Sequence, residues 1–406
     1  MKSENPSLLV PLIMTIALAS ASLAMAQDKQ RVVILTDISN EPDDQESLVR
    51  FLTYCNEFDV EGLIATTGCW KKSDPDIAAI HRVIDAYEKV VPNLRLHANG
   101  YPDAADLRRV ALSGVDGYGM KAAAEQLDNA AVDHIVSIID GDDDRPVWFC
   151  IWGGGNTLAA AVMKVKNERT EAEAEAFVAK IRGYEIALQD EGFAYIAHEF
   201  PKAKLISAKL LWRGISRTTP KFNKWPETRG GNDRIFDAEW VQRNVQTGHG
   251  PLGEQYLTAE YLHEGDTSSF LYLIPNGLNF PEHVDFGGWG GRFSSTRQSN
   301  IRTGGGDETV DPLLDQHRDY ALFSDAKDSW KENGRSYENE YCTIFRWREA
   351  FQNDFAARMD WCVMPYDQAN HNPVAIVNGD KTRGLIEPKA SAGAELELDA
   401  SSSSDP

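Results

Sequence analysis

The chain has 406 residues, with 41 Lys+Arg against 62 Asp+Glu and a formal net charge of −21. With 42% hydrophobic and 25% charged residues it has the composition of a globular protein, and at roughly 150 residues per domain it allows one large domain or a few smaller ones. The acidic balance argues against nucleic acid as a partner, which needs a basic face, and five cysteines are too few for a disulfide scaffold.

Leu8 to Leu23 is apolar and ends in Ala24-Met25-Ala26, the pattern of a signal peptide over 1–26 cleaved before Gln27. A periplasmic or secreted protein is expected. No later run is apolar over the roughly 20 residues that cross a bilayer, so no membrane contact is expected after cleavage. Export permits disulfides, and Cys342 and Cys362, which flank one segment, are candidates for pairing.

The mature chain then alternates short β-branched runs with helical periods. Arg31 to Leu35 reads as a buried strand, Gln45 to Cys55 as a helix, Val60 to Ala65 as a strand and Asp76 to Val90 as a helix. Leu94 to His97 is expected to be a third strand. Val147 to Ile151 reads as a strand that runs into Gly153-Gly154-Gly155, after which Asn156 is expected to cap a helix over Thr157 to Val165. Glu185 to Leu188 and Lys204 to Ser207 read as strands, with a helix over Phe193 to Glu199 between them. This alternation predicts an α/β fold, a mostly parallel, Rossmann-like sheet with helices on both faces and ligands at the carboxyl ends of its strands. From about 210 to 340 long loops rich in Trp, Gly and Arg are expected, followed by helix around Phe345 to Cys362. Residues 370–406 read as a linker and the truncated start of a C-terminal β-sandwich module.

The segment Thr36-Asp37-Ile38-Ser39-Asn40-Glu41-Pro42-Asp43-Asp44 carries the most chemistry. Its clustered carboxylates suit a hard cation such as Ca²⁺ or Mg²⁺; alternatively Asp43 and Asp44 simply favour the positive end of a helix. Gln189, Asp190 and Glu191 stand between a strand and a helix, where they face a cleft or mark a helix start. Trp289 and Arg292 lie in a glycine-rich stretch and would stack on a sugar ring, or belong to the core. Walker, dinucleotide-fingerprint, zinc and serine-hydrolase motifs are missing from the sequence.

Thr36-Asp37 followed by Asp43-Asp44-Gln45-Glu46-Ser47-Leu48 resembles the opening loop Asp-Thr-Asp-Pro-Gly-Ile-Asp-Asp of the inosine-uridine nucleoside hydrolase superfamily. More closely, Gly62 to Thr67, Gly153 to Leu158, Gln189 to Gly192, Glu264 to Phe270, Gly287 to Phe293 and Trp347 to Phe355 resemble the secreted bacterial cellulose-binding proteins with a nucleoside hydrolase-like domain, here over 27–369. The resemblance implies that Asp37 is both calcium ligand and general base, that Asp44, Asp266 and a backbone carbonyl, Gly155 by this reading, complete the calcium site, and that Asp43 holds a ribose hydroxyl. Gln189, Asp190, Trp289 and Arg292 join Asp43 as substrate-binding candidates. Three departures matter. Five residues separate Asp37 from Asp43 where the superfamily has three, Leu35 replaces the leading Asp, and Gly265 stands where a His precedes the late aspartate. Two functions follow: a Ca²⁺-dependent hydrolase of nucleoside-like or related glycosidic bonds, or a non-catalytic carbohydrate-binding (cellulose-binding) protein. Sequence leaves the oligomeric state open, a homo-oligomer included.

Overall fold

The computed structural model describes residues 29–215, 230–258, 263–299, 301 and 319–406. The expected signal peptide lies outside these residues. In chain order the first part consists of β1 (Gln30–Thr36), α1 (Pro42–Tyr54), β2 (Phe58–Ala65), α2 (Ile77–His97), α3 (Ala104–Arg109), β3 (Ala111–Ser113), α4 (Gly119–Glu125) and α5 (Ala130–Asp140). Next come β4 (Val147–Ile151), α6 (Asn156–Glu168), α7 (Glu171–Ala179), β5 (Ile181–Ile186), α8 (Gly192–Glu199) and β6 (Lys204–Ala208), and later β7 (Gln298–Ser299) and β8 (Ala321–Ser324).

The eight strands form one sheet in the order β3-β2-β1-β4-β5-β6-β8-β7, parallel except for the short edge pair β7–β8. Side chains alternate across it. Val32, Ile34, Trp148, Cys150 and Tyr184 enter one buried cluster, whereas Val33, Leu35, Val147, Phe149 and Ile151 enter the other. Near-continuous apolar strands are what a sheet covered on both faces requires. A two-stranded antiparallel hairpin, Asp328–Glu332 with Arg335–Asn339, follows the sheet, and helices Cys342–Phe345 and Arg348–Asp360 close the body. Among the described residues, no helix is long and apolar enough to cross a membrane.

The α/β reading holds, with local corrections. Leu94–His97 is the last turn of α2, not a strand; Pro92-Asn93 reads as a break, yet the buried face continues through Val90, Val91 and Leu94. The third strand is β3. Asn156 is the first residue of α6 rather than its cap; Gly155 holds the cap position without a side-chain bond. β5 begins at Ile181, and Ala187 and Leu188 leave it in left-handed backbone, φ 69° and 51°. None of the five cysteines forms a disulfide; Cys342 and Cys362 are each bonded to backbone carbonyls and do not pair.

Beyond Asn372 the chain is mostly exposed, carrying only the bridges Val374–Ser404 and Val377–Asp380. His371 by contrast stacks on Trp361 and bonds His97 Nδ1 at 3.0 Å, and Asn372 donates to Asp354 at 2.7 Å.

Candidate metal centre and cleft

β1 lies between β2 and β4, so the chain winds outwards in opposite directions from β1 and β4. The loops after these two strands diverge, leaving a crevice at their carboxyl ends. Asp37 follows β1 there, and Trp152-Gly153-Gly154 follow β4, held to it by Trp152 N–H donating to the Leu35 carbonyl at 2.8 Å.

The loop from Asp37 to Glu41 turns through Ser39, whose backbone is left-handed at φ 78° and whose hydroxyl donates to Asp76 at 2.7 Å. Pro42 then opens α1, and Asp43 and Asp44 sit in its first turn, near the positive end of the helix. The Thr36 hydroxyl donates to one oxygen of Asp44.

Asp266 arrives from far along the chain. Carboxylate oxygens of Asp43, Asp44 and Asp266 all lie within 4.8 Å of one another, and all three side chains are buried. Asp37, also buried, stands close enough to raise the pKa of each of them. Burial first, and mutual repulsion second, push Asp43, Asp44 and Asp266 well above the usual carboxylate range. Asp37 is pushed up to about 7, by burial and then by Glu41, against its own backbone hydrogen bond and Lys71. Asp37 Oδ2, Asp43 Oδ1 and Asp266 Oδ2 are buried without a hydrogen-bond partner. Unsatisfied hard oxygens packed together fit a divalent cation with oxygen preference.

Glycine makes the close approach possible. A Cβ at Gly153 would meet Asp37 Oδ1 at 2.7 Å, and one at Gly68 would collide with Asp37 and with Gln189. Gln189 therefore belongs to the cleft wall beside Asp37. Its amide donates to the Trp152 carbonyl at 2.6 Å and accepts from Cys69 N–H at 3.2 Å.

Other expected site residues point elsewhere. Gly155 turns away from the acids: its carbonyl accepts from Ala159 in α6 at 3.0 Å, its N–H donates to Asp190, and Gly153 is the glycine beside Asp37. Asp190 accepts three backbone amides, Gly155 at 3.0 Å, Asn156 at 3.1 Å and Gly192 at 2.7 Å, which ties it to the first turn of α6, while its charge also raises the pKa of Asp37. Trp289 is buried, edge-on to Phe351. Arg292 is held by Asp328 of the hairpin, Nε donating at 2.8 Å. Gly155 was expected from the resemblance and the other three from local pattern, and each has a tertiary partner that neither reveals.

Sequence reasoning missed three features. Thr36 orients Asp44. Trp70, in the loop after β2 that carries Gly68, is 59% exposed at the same end of the sheet. The third is a buried network: Arg50 donates to Glu264 at 2.7 Å and to Gln352 at 2.7 Å, while Glu46 accepts the Glu264 N–H at 3.1 Å. Glu264 is left-handed at φ 46°. The i, i+4 spacing of Glu46 and Arg50 on a buried helix face was the available signal.

The sequence matches, over residues 31–293, the family described as cellulose-binding Sde182, nucleoside hydrolase-like domain. The chain belongs to this family. A solved structure of a nucleoside hydrolase-related protein from Saccharophagus degradans, described as associated with carbohydrate metabolism, is 39% identical with a TM-score of 0.78 over 93% of this chain and 83% of that one. A type III effector, XopQ, solved with adenosine diphosphate ribose, aligns over 84% of this chain and 96% of its own at 11% identity and a TM-score of 0.37, too remote to carry an argument. No curated protein matches. The family match covers the acidic loop, the glycine turn and Asp266, and fits the expected nucleoside hydrolase-like fold.

Proposed function

We propose that the protein is an exported, Ca²⁺-dependent hydrolase of N-glycosidic (nucleoside-like) or related glycosidic bonds. The convergence of Asp43, Asp44 and Asp266, with orphaned oxygens beside Asp37, carries this reading. Asp43, Asp44 and Asp266 would hold the ion, with Asp37 at its edge. A calcium ion held there supplies positive charge that neutralises the carboxylates and orders sugar hydroxyls and water.

Burial puts Asp37 at about 7, in the range where a carboxylate exchanges protons with water at neutral pH. It takes the proton of the attacking water as the water oxygen bonds to the anomeric carbon and the leaving group departs with its bonding pair. Gln189, fixed by the Trp152 carbonyl and the Cys69 amide, lines the wall beside Asp37. Trp70 offers a flat apolar face to a sugar or base at the mouth.

A second reading is a carbohydrate-binding protein without turnover. The family's description as cellulose-binding favours it, as does Gly265 in place of the superfamily's histidine. The nearest histidine in sequence, His263, is buried against Phe236 and near Glu46. Release of base or reducing sugar from a panel of ribosides and oligosaccharides, by the native protein and Asp37→Asn, separates the two. Release that Asp37→Asn abolishes supports the hydrolase. Retention on insoluble cellulose with no release from any substrate establishes the binding protein instead.

A further inference from the structure

A cavity of about 200 Å³ lies at the opposite, amino-terminal end of the sheet. Its floor is a row of residues in register across three strands. Trp148 of β4 pairs with Arg182 of β5, and Arg182 pairs with Lys204 of β6, so their side chains share one face. Two residues further along, Ile206 pairs with Phe323 of β8 and continues that floor. The segment Pro281 to Asp285 forms the opposite wall.

We propose that this cavity is a second carbohydrate site, taking one neutral pyranose ring between Trp148, the Arg182–Glu282–Lys204 cluster and the exposed aromatic face of Phe286. The proposal does not depend on hydrolysis at the acidic centre.

Size comes first. Pockets for drug-sized ligands run from about 300 Å³ upwards, so this one suits a single ring rather than an extended chain. Charge comes second. Arg182 Nε donates to Glu282 Oε1 at 2.8 Å and Lys204 pairs with Glu282 Oε2, while Asp285 supplies a second carboxylate to the lining. Two cations against two anions leave no surplus for a phosphate or an ammonium group. They do present a fixed array of planar and charged hydrogen-bonding groups, which suits the many hydroxyls of a neutral sugar.

The third observation is the apolar part of the floor. Trp148, Ile206 and Phe323 line the cavity and give a sugar's C–H face a flat apolar surface beside the charged cluster. The fourth is Phe286, 48% exposed yet held rigidly, stacked on His283 at 4.4 Å and 16° and edge-on to Phe280 at 6.1 Å. His283, on which it stacks, and Asp285, which precedes it, both line the cavity, so Phe286 stands just outside the lining, next to its edge. Exposed, immobilised aromatic rings lose little entropy on contact with the C–H face of a sugar. The row at Trp148 is about 16 Å from Gly153 and the acidic centre, at ~3.3 Å per strand residue, so both sites can be filled together.

Isothermal titration of the full chain with methyl β-glucopyranoside, cellobiose and inorganic phosphate tests the assignment. Glu282→Ala and Phe286→Ala are each expected to weaken binding of the neutral sugars at least tenfold, with phosphate not bound. Asp44→Asn, and chelator added to the native protein, are expected to leave that binding unchanged. Phe286 is exposed, so its variant tests the rim without a change in folding. Sugar binding that survives both cavity variants, or that disappears with Asp44→Asn, overturns the proposal and assigns the sugar to the acidic centre. Preference for phosphate, or no neutral sugar bound at all, also overturns it. Hydrolysis lost in Asp37→Asn with sugar binding intact leaves this site standing and concerns the acidic centre alone.

Discussion

Arg50 of α1 donates to Glu264 at 2.7 Å, with both side chains wholly excluded from water. α1 carries Asp43 and Asp44 at its start, and Glu264 precedes Asp266 by two residues. The buried pair therefore fixes the spacing between the two halves of the acidic centre, aided by Glu46, which accepts the Glu264 amide. Removing one partner of such a pair strands the other charge, at about 3–5 kcal/mol. Glu264→Gln is expected to lower stability by that order and to weaken the response to calcium, because Asp266 moves with its loop. Denaturant melts and calcium titration of the variant check both effects.

Calcium itself is expected to raise the melting temperature and a chelator to lower it. Binding to the native state alone stabilises by about 2.7 kcal/mol at a hundredfold excess over Kd. Asp44→Asn is expected to abolish the response, since one ligand charge disappears from the cluster of Asp43, Asp44 and Asp266. Asp190→Asn is expected to keep it while losing roughly 1–3 kcal/mol of stability, because an amide nitrogen is turned towards backbone donors. Thermal melts with calcium and with chelator compare the three proteins; a native protein indifferent to calcium removes the metal from the site.

Without a divalent cation, stability is expected to fall as pH rises from about 4 to about 7. Asp37 sits at about 7 in the folded chain against an ordinary 3.8, and Asp43, Asp44 and Asp266 are displaced the same way. In that window the folded state holds protons that the unfolded chain has released, so raising pH favours unfolding. Calcium favours the ionised carboxylates and flattens the slope. Melting temperatures across pH in chelator and in calcium read the difference directly.

Trp70→Ala is expected to leave stability within about 0.5 kcal/mol, as for an ordinary exposed position. Its loop is closed by reciprocal bonds between Gly68 and Lys71 rather than by the indole. Affinity for a ligand of the acidic centre is expected to drop on the order of tenfold, worth about 1.4 kcal/mol. Titration with whichever riboside or oligosaccharide the native protein turns over, in calcium, measures it.

Truncation separates anchored chain from exposed chain at the carboxyl end. Removing residues after Asn372 is expected to change the melting temperature by less than a few degrees, since Arg383 carries what is described of the tail's hold on the body, donating to the Pro275 carbonyl at 3.3 Å and acting on Glu57. Truncation before Asn370 is expected to cost more. It removes the His371 stack on Trp361 and His97 and the Asn370 carbonyl that accepts the Trp361 indole N–H at 2.7 Å. A large loss from the shorter cut would place the boundary of the body further along the chain.

Much of this was legible locally. The apolar runs of β1, β2, β4 and β6 and the periodic helices between them announce a parallel sheet, because a strand buried on both faces has few alternatives in composition. The loop from Asp37 to Asp44 concentrates hard ligands in eight residues, and a resemblance to known loops could be read from it directly. Asp266 was reachable only through that resemblance.

Tertiary structure decided the rest. Asp190, Gly155, Trp289 and Arg292 carry suitable chemistry, but three backbone amides, the first turn of α6, Phe351 and Asp328 had the prior claim on them. Leu94–His97 continues α2 because Leu94 extends the helix's buried face and Leu and Arg favour helix, which outweighs the interior Pro92. The Arg50–Glu264 pair and the row Trp148–Arg182–Lys204 join residues from separate elements, and only the packing and strand register of the folded chain bring them together. Sequence by itself determined which segments are apolar enough to be buried and which carry the acids. The folded chain decided which polar groups were already satisfied, and hence which buried oxygens were left without a hydrogen-bond partner.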